Sequence, residues 1–273
     1  MPQVYIEKLN KLKERLKETG GCAIAYSGGV DSTLLLAVAR EVLGEKCLAV
    51  IASAPIFPEK ESAEAIEWVN TQNIPYIIVN AEELEIPEFT ENNKDRCYHC
   101  KKEVFGKIIE RAHILGLNYV ADGSNADDTG DYRPGMKASA ELGVLKPMMD
   151  AGLTKKEIRA ISKEIYHLPT ADKPSMACLA SRFPYGSPIT LEKLKQVEEI
   201  EKFLDSLGFR IYRARHHGDI LRLELGPEET AAVLKNDLRM KIIDFAKSLG
   251  FLYVTLDIEG FRSGSLNEVF LKV

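Results

Sequence analysis

The stretch AYSGGVDSTLLL, residues 25–36, decides the fold of this 273-residue chain. It begins at the end of a short apolar run, CAIAY, which predicts a buried strand, and it continues with the apolar spacing of a helix. Between them, Gly28 and Gly29 let the backbone turn sharply and approach a ligand closely. A strand, a glycine turn and a helix in this order predict the start of an α/β fold.

The same stretch has the chemistry of a phosphate site. Ser27, Ser32 and Thr33 supply hydroxyl groups, and the first turn of the following helix presents N–H groups with partial positive charge. Asp31 would repel phosphate unless a cation lay between them, so it suggests Mg²⁺. The alternative is a tight turn with an ordinary Asp or Ser helix cap. The complete strand–SGGVDS–helix context favours the phosphate site.

Strands and helices alternate through the first half of the chain. This alternation predicts a parallel sheet covered by helices on both faces, with ligands at the carboxyl ends of its strands. Further strands are predicted at 47–53, 75–79 and 118–124, and helices at 58–73 and 101–116.

The pattern changes in the second half. The segment 127–137 reads as an acidic loop whose Asp127, Asp128 and Asp131 we interpret as solvated, with a share in holding Mg²⁺ as the alternative. A β-hairpin between helices then predicts a small α+β domain, so we expect domains at 1–187 and 188–273. The elements predicted here are helices at 153–168 and 190–207, strands at 210–216, 219–225 and 251–257, and helical stretches within 227–249.

The composition excludes some classes of function. A hydrophobic content of 45% and a charged content of 28% are typical of a soluble globular protein. The formal net charge of −5 argues against a broad nucleic-acid surface. No apolar run approaches the ~20 residues that span a bilayer, and the first residues lack the apolar core of a signal peptide. We therefore expect a cytoplasmic protein without nucleic-acid or membrane partners.

The five cysteines fall into two groups. Cys22 and Cys47 lie inside apolar strands and are expected to be small buried hydrophobes. Cys97 and Cys100 form a C-x-x-C pair in RCYHCK, and Cys178 lies in a proline-containing loop, where site residues concentrate. In a reducing cytoplasm these three are thiols or metal ligands rather than disulfides.

The spacing of these three thiols leaves several interpretations open. Three thiolates suit a 4Fe–4S cluster with one open iron, or a structural zinc with His99 as a possible fourth ligand. Three unconnected thiols, or a redox pair at the start of a helix, are the alternatives without a metal.

The loop SGGVDS resembles the pyrophosphate loop of the ATP pyrophosphatase superfamily, which includes GMP synthetase, NAD synthetase and the tRNA thiolases. The resemblance implies that ATP is cleaved to AMP and pyrophosphate while an oxygen of the substrate is adenylated and then displaced by a nucleophile. It also implies a set of nucleotide-binding residues: Ser27, Gly28, Gly29, Asp31 and Ser32 in the loop, with Ser53 and Gly123 at the ends of two strands.

Further motifs, DDTGDYRPG, SRFPYG, RARHHGDILRLEL and GFLYVTLDIEGFRSGSLNE, extend the resemblance to the LarE family over about residues 20–270. LarE proteins are sulfur transferases of nickel-pincer nucleotide synthesis. The resemblance implies that a carboxylate of pyridinium-3,5-biscarboxylic acid mononucleotide is adenylated and converted to a thiocarboxylate. It also implies a homo-oligomer, either a trimer or a hexamer. The rival interpretations are a tRNA thiolase and a nucleotide-binding protein with structural zinc.

Two branches of the LarE family differ in their cysteines. One branch sacrifices the sulfur of a single loop cysteine, and the other holds a 4Fe–4S cluster through three cysteines. Cys178 matches the loop cysteine, and Cys97 and Cys100 match the extra pair, so the chain resembles the cluster branch. Cys178 and Asp31 are then the expected catalytic residues, and sulfide or another donor supplies the sulfur.

Arginines are the expected substrate contacts. Arg213 and Arg215 stand two apart on a predicted strand and share a face, and two guanidinium groups suit a phosphate monoester. The alternative is a solvated strand face; the resemblance favours the phosphate of the mononucleotide. Arg182, in SRFPYG, is expected to contact the substrate or AMP.

Overall fold

The computed structural model describes residues 2–130, 134–174, 177–262 and 264–271. The chain packs into two compact units. The first comprises Met1–Ile86 and Asp95–Met176, and the second comprises Pro87–Lys94 and Ala177–Val273. The sequence predicted a boundary near Pro188, whereas the packing divides the chain at Ala177 and assigns the internal segment Pro87–Lys94 to the second unit.

The predicted helices and strands occur in the predicted order, and within the described residues the structure adds four helices that were not predicted, at Pro87–Thr90, Pro134–Glu141, Pro147–Asp150 and Glu268–Leu271. The helices are α1 (Pro2–Glu18), α2 (Val30–Leu43), α3 (Glu59–Thr71), α4 (Pro87–Thr90), α5 (Arg96–Ile114), α6 (Pro134–Glu141), α7 (Pro147–Asp150), α8 (Lys155–Glu164), α9 (Leu191–Ser206), α10 (Pro227–Val233), α11 (Asn236–Ser248) and α12 (Glu268–Leu271). The strands are β1 (Cys22–Ala25), β2 (Cys47–Ser53), β3 (Tyr76–Asn80), β4 (Val120–Ala121), β5 (Tyr212–His217), β6 (Ile220–Leu225) and β7 (Tyr253–Leu256).

The first unit is built on a parallel sheet with the strand order β3–β2–β1–β4. Alternate residues of β1 enter different cores, as the two-residue period of a strand requires. Cys22 and Ile24 pack with α1, α2 and α8, whereas Ala23 packs with Phe105 and Ile108 of α5. Helices therefore cover both faces of the sheet, and the predicted α/β fold class is confirmed.

The second unit contains a smaller sheet in the order β5–β6–β7. β5 and β6 form the predicted antiparallel hairpin, and β7 joins β6 in parallel. Gly218, with φ of +66°, occupies the turn, because this left-handed backbone conformation suits glycine. Phe203 of α9 stacks on Phe245 of α11 with ring centroids 4.2 Å apart. The hairpin and its helices form the predicted α+β unit.

The strand predicted at 118–124 is much shorter in the structure, where only Val120–Ala121 forms β4. Two further parts of the sequence prediction also differ from the structure. α5 begins at Arg96 rather than at residue 101, so Cys97 and Cys100 lie within its first two turns rather than before them. The segment predicted as a loop at 127–137 contains the start of α6 at Pro134, and Asp131 lies outside the described residues. Within the described ranges, no helix combines the length and the apolar character needed to cross a membrane.

Candidate active site

Residues 26–32, called the phosphate loop here after its predicted role, connect β1 to α2 and include the first residues of that helix, at the carboxyl edge of the parallel sheet. Gly28 has φ of +72°, and a β-carbon at this position would lie 3.0 Å from that of Ala65. The loop is closed by its two serines, because the hydroxyl oxygens of Ser27 and Ser32 lie 3.1 Å apart. Gly29 is the N-cap of α2, with no side-chain cap. The alternative of an Asp or Ser cap is therefore wrong, and the first turn is left open to an anion.

Two residues next to the loop face the core. Thr33 is fully buried, and its hydroxyl donates to the carbonyl of Gly29 at 2.8 Å. This hydrogen bond turns the hydroxyl toward the helix backbone, as the bond from the Ser32 hydroxyl to the same carbonyl at 3.2 Å also does, so a contact of Thr33 with phosphate stays a prediction. Burial raises the pKa of Tyr26 to about 12, and its ring lies 5.7 Å from that of Trp68. The strand end before the loop is thus fixed by aromatic packing.

Asp31 forms an ion pair that the sequence did not predict. The ammonium of Lys155 donates to its Oδ2, and Nδ2 of Asn125 lies 3.5 Å from its Oδ1. Lys155 is the first residue of α8, which begins with a capping box between Thr154 and Glu157. The signature T-x-x-E in LTKKE marks this helix start, but it gives no indication that the lysine reaches the phosphate loop.

The loop that follows β4 contacts the phosphate loop through its backbone. A β-carbon built on Gly123 would lie 3.0 Å from the amide nitrogen of Ser32 and 3.3 Å from the carbonyl carbon of Asp31. Only a glycine allows this approach without displacing one of the two loops. Gly123 therefore lies where a nucleotide-binding residue is expected. Ser53 is exposed at the carboxyl end of β2, and its contact with nucleotide stays a prediction.

The acidic residues after Gly123 organise the backbone. The carboxylate of Asp127 accepts from the amide of Lys155 at 2.8 Å, and that of Asp128 accepts from the amide of Asn125 at 2.9 Å. Asp128 is also buried. Asp127 is exposed, as expected for a solvated residue, whereas the burial of Asp128 contradicts that interpretation, and both carboxylates hold main-chain groups of the site.

Lys173 also contacts the phosphate loop and was not predicted. Its ammonium donates to the carbonyl of Gly28 at 3.4 Å and pairs with Glu61 and Glu64 of α3 at 2.6 and 2.8 Å. Burial by itself lowers the pKa of Lys173, but the hydrogen bonds to the two glutamates outweigh it and hold the pKa above its usual range. This lysine therefore links the loop to α3 through its hydrogen bond to Gly28 and its ion pairs with the two glutamates.

Cys97 and Cys100 lie in the first two turns of α5, and both are partly exposed. Tyr98, between them, donates from its hydroxyl to Glu141 of α6 at 2.7 Å. A β-carbon on Gly135 of α6 would lie 3.4 Å from the carbonyl of Cys97. Close packing against α6 therefore fixes the turn that carries the two thiols.

Cys178, in the second unit, is partly exposed and directly precedes a 3₁₀ helix at Leu179–Arg182. Arg182 is fully buried and forms an ion pair with Glu201. Its Nη1 also donates to the carbonyls of Ala177 and Cys178, at 2.7 and 3.0 Å. The geometry therefore gives Arg182 a positioning role for the cysteine, and its predicted contact with substrate or AMP stays a prediction.

The thiols differ in burial as predicted. Cys22 and Cys47 are fully buried, and burial raises the pKa of each to about 12. The other three are partly exposed and have the donor chemistry of a soft-metal site. Among the residues that the structure describes, no three His, Cys, Asp or Glu side chains are grouped so as to hold a metal ion. The cluster therefore stays a proposal.

Arg213 and Arg215 share a face of β5, and both are buried. Arg215 pairs with the buried Glu224 at 2.7 Å and donates to the carbonyl of Ser181 at 2.6 Å. Arg213 lies 5.0 Å from the ring of Phe261, and burial lowers its pKa to about 10. The alternative of a solvated strand face is therefore wrong, while the phosphate role stays a prediction.

The chain resembles characterised and uncharacterised proteins over nearly its whole length, although no family model matches it. It is 42% identical over 268 residues to an uncharacterised protein of Synechocystis sp., covering 97% of this chain and 98% of the relative. It is 36% identical over 260 residues to the pyridinium-3,5-bisthiocarboxylic acid mononucleotide synthase of Lactiplantibacillus plantarum, covering 94% and 92%. The chain belongs to the LarE family.

A more distant similarity supports the superfamily. The chain is 28% identical over 191 residues to one component of the glutamine-hydrolysing GMP synthase of Thermoplasma volcanium, covering 62% of this chain and 59% of that relative. This LarE-family chain is thus an enzyme of the ATP pyrophosphatase class, in agreement with the loop between β1 and α2.

Proposed function

We propose that this protein is an ATP-dependent sulfur transferase. It adenylates a carboxylate of pyridinium-3,5-biscarboxylic acid mononucleotide and converts it to a thiocarboxylate. The observation that carries the proposal is the 36% identity, over 94% of the chain, to the synthase of the corresponding bisthiocarboxylic acid mononucleotide. The phosphate loop supports it, since an uncapped helix start and a nearby carboxylate suit Mg²⁺ and a polyphosphate.

The reaction takes two displacements. A carboxylate oxygen of the substrate attacks the α-phosphorus of ATP, and pyrophosphate leaves. A hydrosulfide then attacks the acyl carbon of the mixed anhydride, AMP leaves, and the thiol proton passes to solvent. Ser27, Ser32 and the first turn of α2 hold the pyrophosphate oxygens, and Asp31 binds Mg²⁺. Arg213 and Arg215 bind the phosphate of the mononucleotide.

The sulfur chemistry belongs to the three partly exposed cysteines. Cys97, Cys100 and Cys178 would hold the 4Fe–4S cluster, which would supply sulfur from the iron that has no cysteine ligand. Packing of Tyr98 against Glu141 fixes the turn of the first two thiols, and Arg182 fixes the carbonyl of Cys178. We further propose a cytoplasmic homo-oligomer that takes sulfide or another sulfur donor.

Metal analysis and product analysis test the proposal together. Anaerobically purified protein should be brown, with about four irons per chain, and with Mg·ATP, sulfide and the acid substrate it should release AMP, pyrophosphate and the thiocarboxylate. Replacing Cys97, Cys100 or Cys178 by alanine should bleach the protein and stop repeated turnover. Cys22→Ala and Cys47→Ala, at buried strand positions, are the matched controls and should keep colour and turnover.

Three outcomes would contradict the proposal in different ways. One zinc per chain and no iron would favour the structural-zinc alternative. A full cluster in Cys178→Ala would show that Cys178 is not a cluster ligand. It would favour the alternative in which Cys178 gives up its own sulfur. Strong binding of bulk tRNA, together with no reaction of the acid substrate, would favour a tRNA thiolase.

A further inference from the structure

The pairing of Asp31 with Lys155 conflicts with a metal-binding role for Asp31. The ammonium of Lys155 donates to Oδ2 of Asp31, while Oδ1 faces the side-chain amide of Asn125 at 3.5 Å. Both carboxylate oxygens thus face N–H donors. Mg²⁺ requires an oxygen ligand at close range, and a divalent ion beside the ammonium would be strongly repelled. The ion pair and the metal therefore compete for the same carboxylate.

The backbone of Lys155 is fixed next to the phosphate loop. Its amide donates to Asp127 at 2.8 Å, and the capping box of Thr154 and Glu157 holds the first turn of α8. An ammonium released from Asp31 can therefore move only by changes of side-chain rotamer. The nearest new anion in the occupied site is the triphosphate itself, since the loop that holds Asp31 also holds the phosphates.

Lys173 shows by contrast why Lys155 is the movable cation. Lys173 is held by two carboxylates, Glu61 and Glu64, and its side chain is 17% exposed. The side chain of Lys155 is 31% exposed, and its ion pair is with the one carboxylate that the metal needs. Lys173 therefore stays with α3, whereas Lys155 is displaced when Asp31 takes a metal.

We propose that Lys155 is an exchangeable counter-ion of the phosphate loop, pairing with Asp31 in the nucleotide-free protein and with the triphosphate when Mg·ATP is bound. This inference rests on the proposed ATP-dependent function. It means that Asp31 becomes a metal ligand only together with the arrival of a polyphosphate. Free divalent metal is then bound poorly, because nothing accepts the released ammonium.

Two binding measurements on the full-length protein test the exchange. The first is the affinity for free Mn²⁺, used in place of Mg²⁺ and followed by electron paramagnetic resonance. The second is the affinity for Mg·ATP without the acid substrate, followed by the emission of Trp68, whose ring lies beside Tyr26 at the start of the loop. The variants are Lys155→Met and Lys155→Arg, with the exposed neighbour Lys156→Met as the matched control.

The proposed exchange predicts that Lys155→Met changes the affinity for free Mn²⁺ and the affinity for Mg·ATP in opposite directions. Lys155→Met should bind free Mn²⁺ more tightly than the unmodified protein, because Asp31 is released from its ammonium. It should bind Mg·ATP about tenfold or more weakly, the usual scale for losing a charged hydrogen bond. Lys155→Arg should keep most of the affinity for Mg·ATP, and Lys156→Met should change neither constant.

Other patterns would overturn the inference. If Lys155→Met bound both free Mn²⁺ and Mg·ATP more weakly, Lys155 would have a purely structural role. If neither affinity changed, Lys155 would have no part in binding either ligand. In both cases the unmodified protein still binds Mg·ATP, so the proposed function stands. If the unmodified protein does not bind Mg·ATP at all, the proposed function fails, and the exchange fails with it. Circular dichroism and thermal unfolding would verify that each variant is folded.

Discussion

Arg182 and Glu201 form a two-point ion pair inside the second unit, with Nε and Nη2 of the arginine 2.9 and 2.7 Å from the two carboxylate oxygens. Glu201 also accepts from the amide of Ala214 in β5 at 3.0 Å. The pair therefore joins α9 to β5 and holds the segment before the 3₁₀ helix, including the carbonyl of Cys178.

Breaking this pair should destabilise the protein. Glu201→Gln leaves the buried guanidinium without its anion, and Arg182→Met leaves the buried carboxylate without its cation. Each change should cost about 3–5 kcal/mol of unfolding free energy. Urea unfolding would measure the loss, and Glu199→Gln on the exposed face of α9 is the control. A loss as small as that of the control would mean that the pair does not hold the segment.

Gly123→Ala should damage nucleotide binding without unfolding the chain. The added β-carbon would lie 3.0 Å from the backbone of Ser32, so the phosphate loop or the loop after β4 must shift. Affinity for Mg·ATP should fall by about tenfold or more, because the phosphate contacts depend on backbone positions.

Gly106→Ala is the matched control for this substitution. Gly106 lies inside α5 with nothing within 4 Å of the added carbon, so alanine should raise stability by up to about 1 kcal/mol. Its nucleotide affinity should not change. Equal nucleotide affinity in Gly123→Ala would show that the close approach is not needed for binding.

Asp31→Ala should abolish the cleavage of ATP to AMP and pyrophosphate while the protein remains folded. The residue lies in the first turn of α2 and is partly exposed, so its removal leaves the core intact. Separation of the nucleotides by ion-exchange chromatography would follow the reaction. Formation of ADP and inorganic phosphate by the unmodified enzyme would contradict the assignment to the ATP pyrophosphatase class.

Arg213 offers a better test of substrate recognition than Arg215. Replacing Arg215 would remove one of the two arginines paired with the buried Glu224 and leave only Arg222, so a change in stability would accompany any change in binding. Arg213→Met should weaken binding of the mononucleotide by about 1.5–3 kcal/mol. Calorimetry with the dephosphorylated substrate is the control, and that binding should change little. Equal losses for both ligands would rule out a phosphate-specific role.

Glu83 should make stability depend on pH. Its side chain is fully buried, and burial, reinforced by the charge of Glu103, raises its pKa to about 7. Between its ordinary value of 4.5 and about 7, the folded state holds a proton that the unfolded state has released. Stability should therefore fall as pH rises through this window, by up to about 1.4 kcal/mol per pH unit for this one group.

Replacing the carboxyl group should remove that dependence. Glu83→Gln should flatten the plot of unfolding free energy against pH between about 4.5 and 7, whereas the exposed Glu85→Gln should keep it. Urea unfolding at several pH values gives the slopes. An unchanged slope in Glu83→Gln would show that the buried carboxyl does not hold its proton in the folded state.

Local patterns in the sequence were sufficient to predict the strand before the phosphate loop, its glycine turn and the helix that follows the turn. Apolar spacing and the conformational freedom of glycine depend on only a few neighbouring residues. They were not sufficient for the pair of Asp31 and Lys155, whose members lie 124 residues apart. The buried position of Arg182 also depends on a partner in another element, Glu201. The start of α5 was missed because RCYHCK has no periodic apolar face that would mark it as helical.

The segment Pro87–Lys94 belongs to the second unit although first-unit chain flanks it on both sides. Within that unit, the side-chain amide of Asn92 donates to the carbonyls of Pro184 and Ser187 at 2.7 and 2.9 Å. A fragment that begins at Ala177 lacks these hydrogen bonds. The second unit therefore cannot be transferred to another protein as one continuous segment. Gene fusion or domain exchange at a single junction would transfer an incomplete fold. A chimaeric protein has to include both segments of the chain.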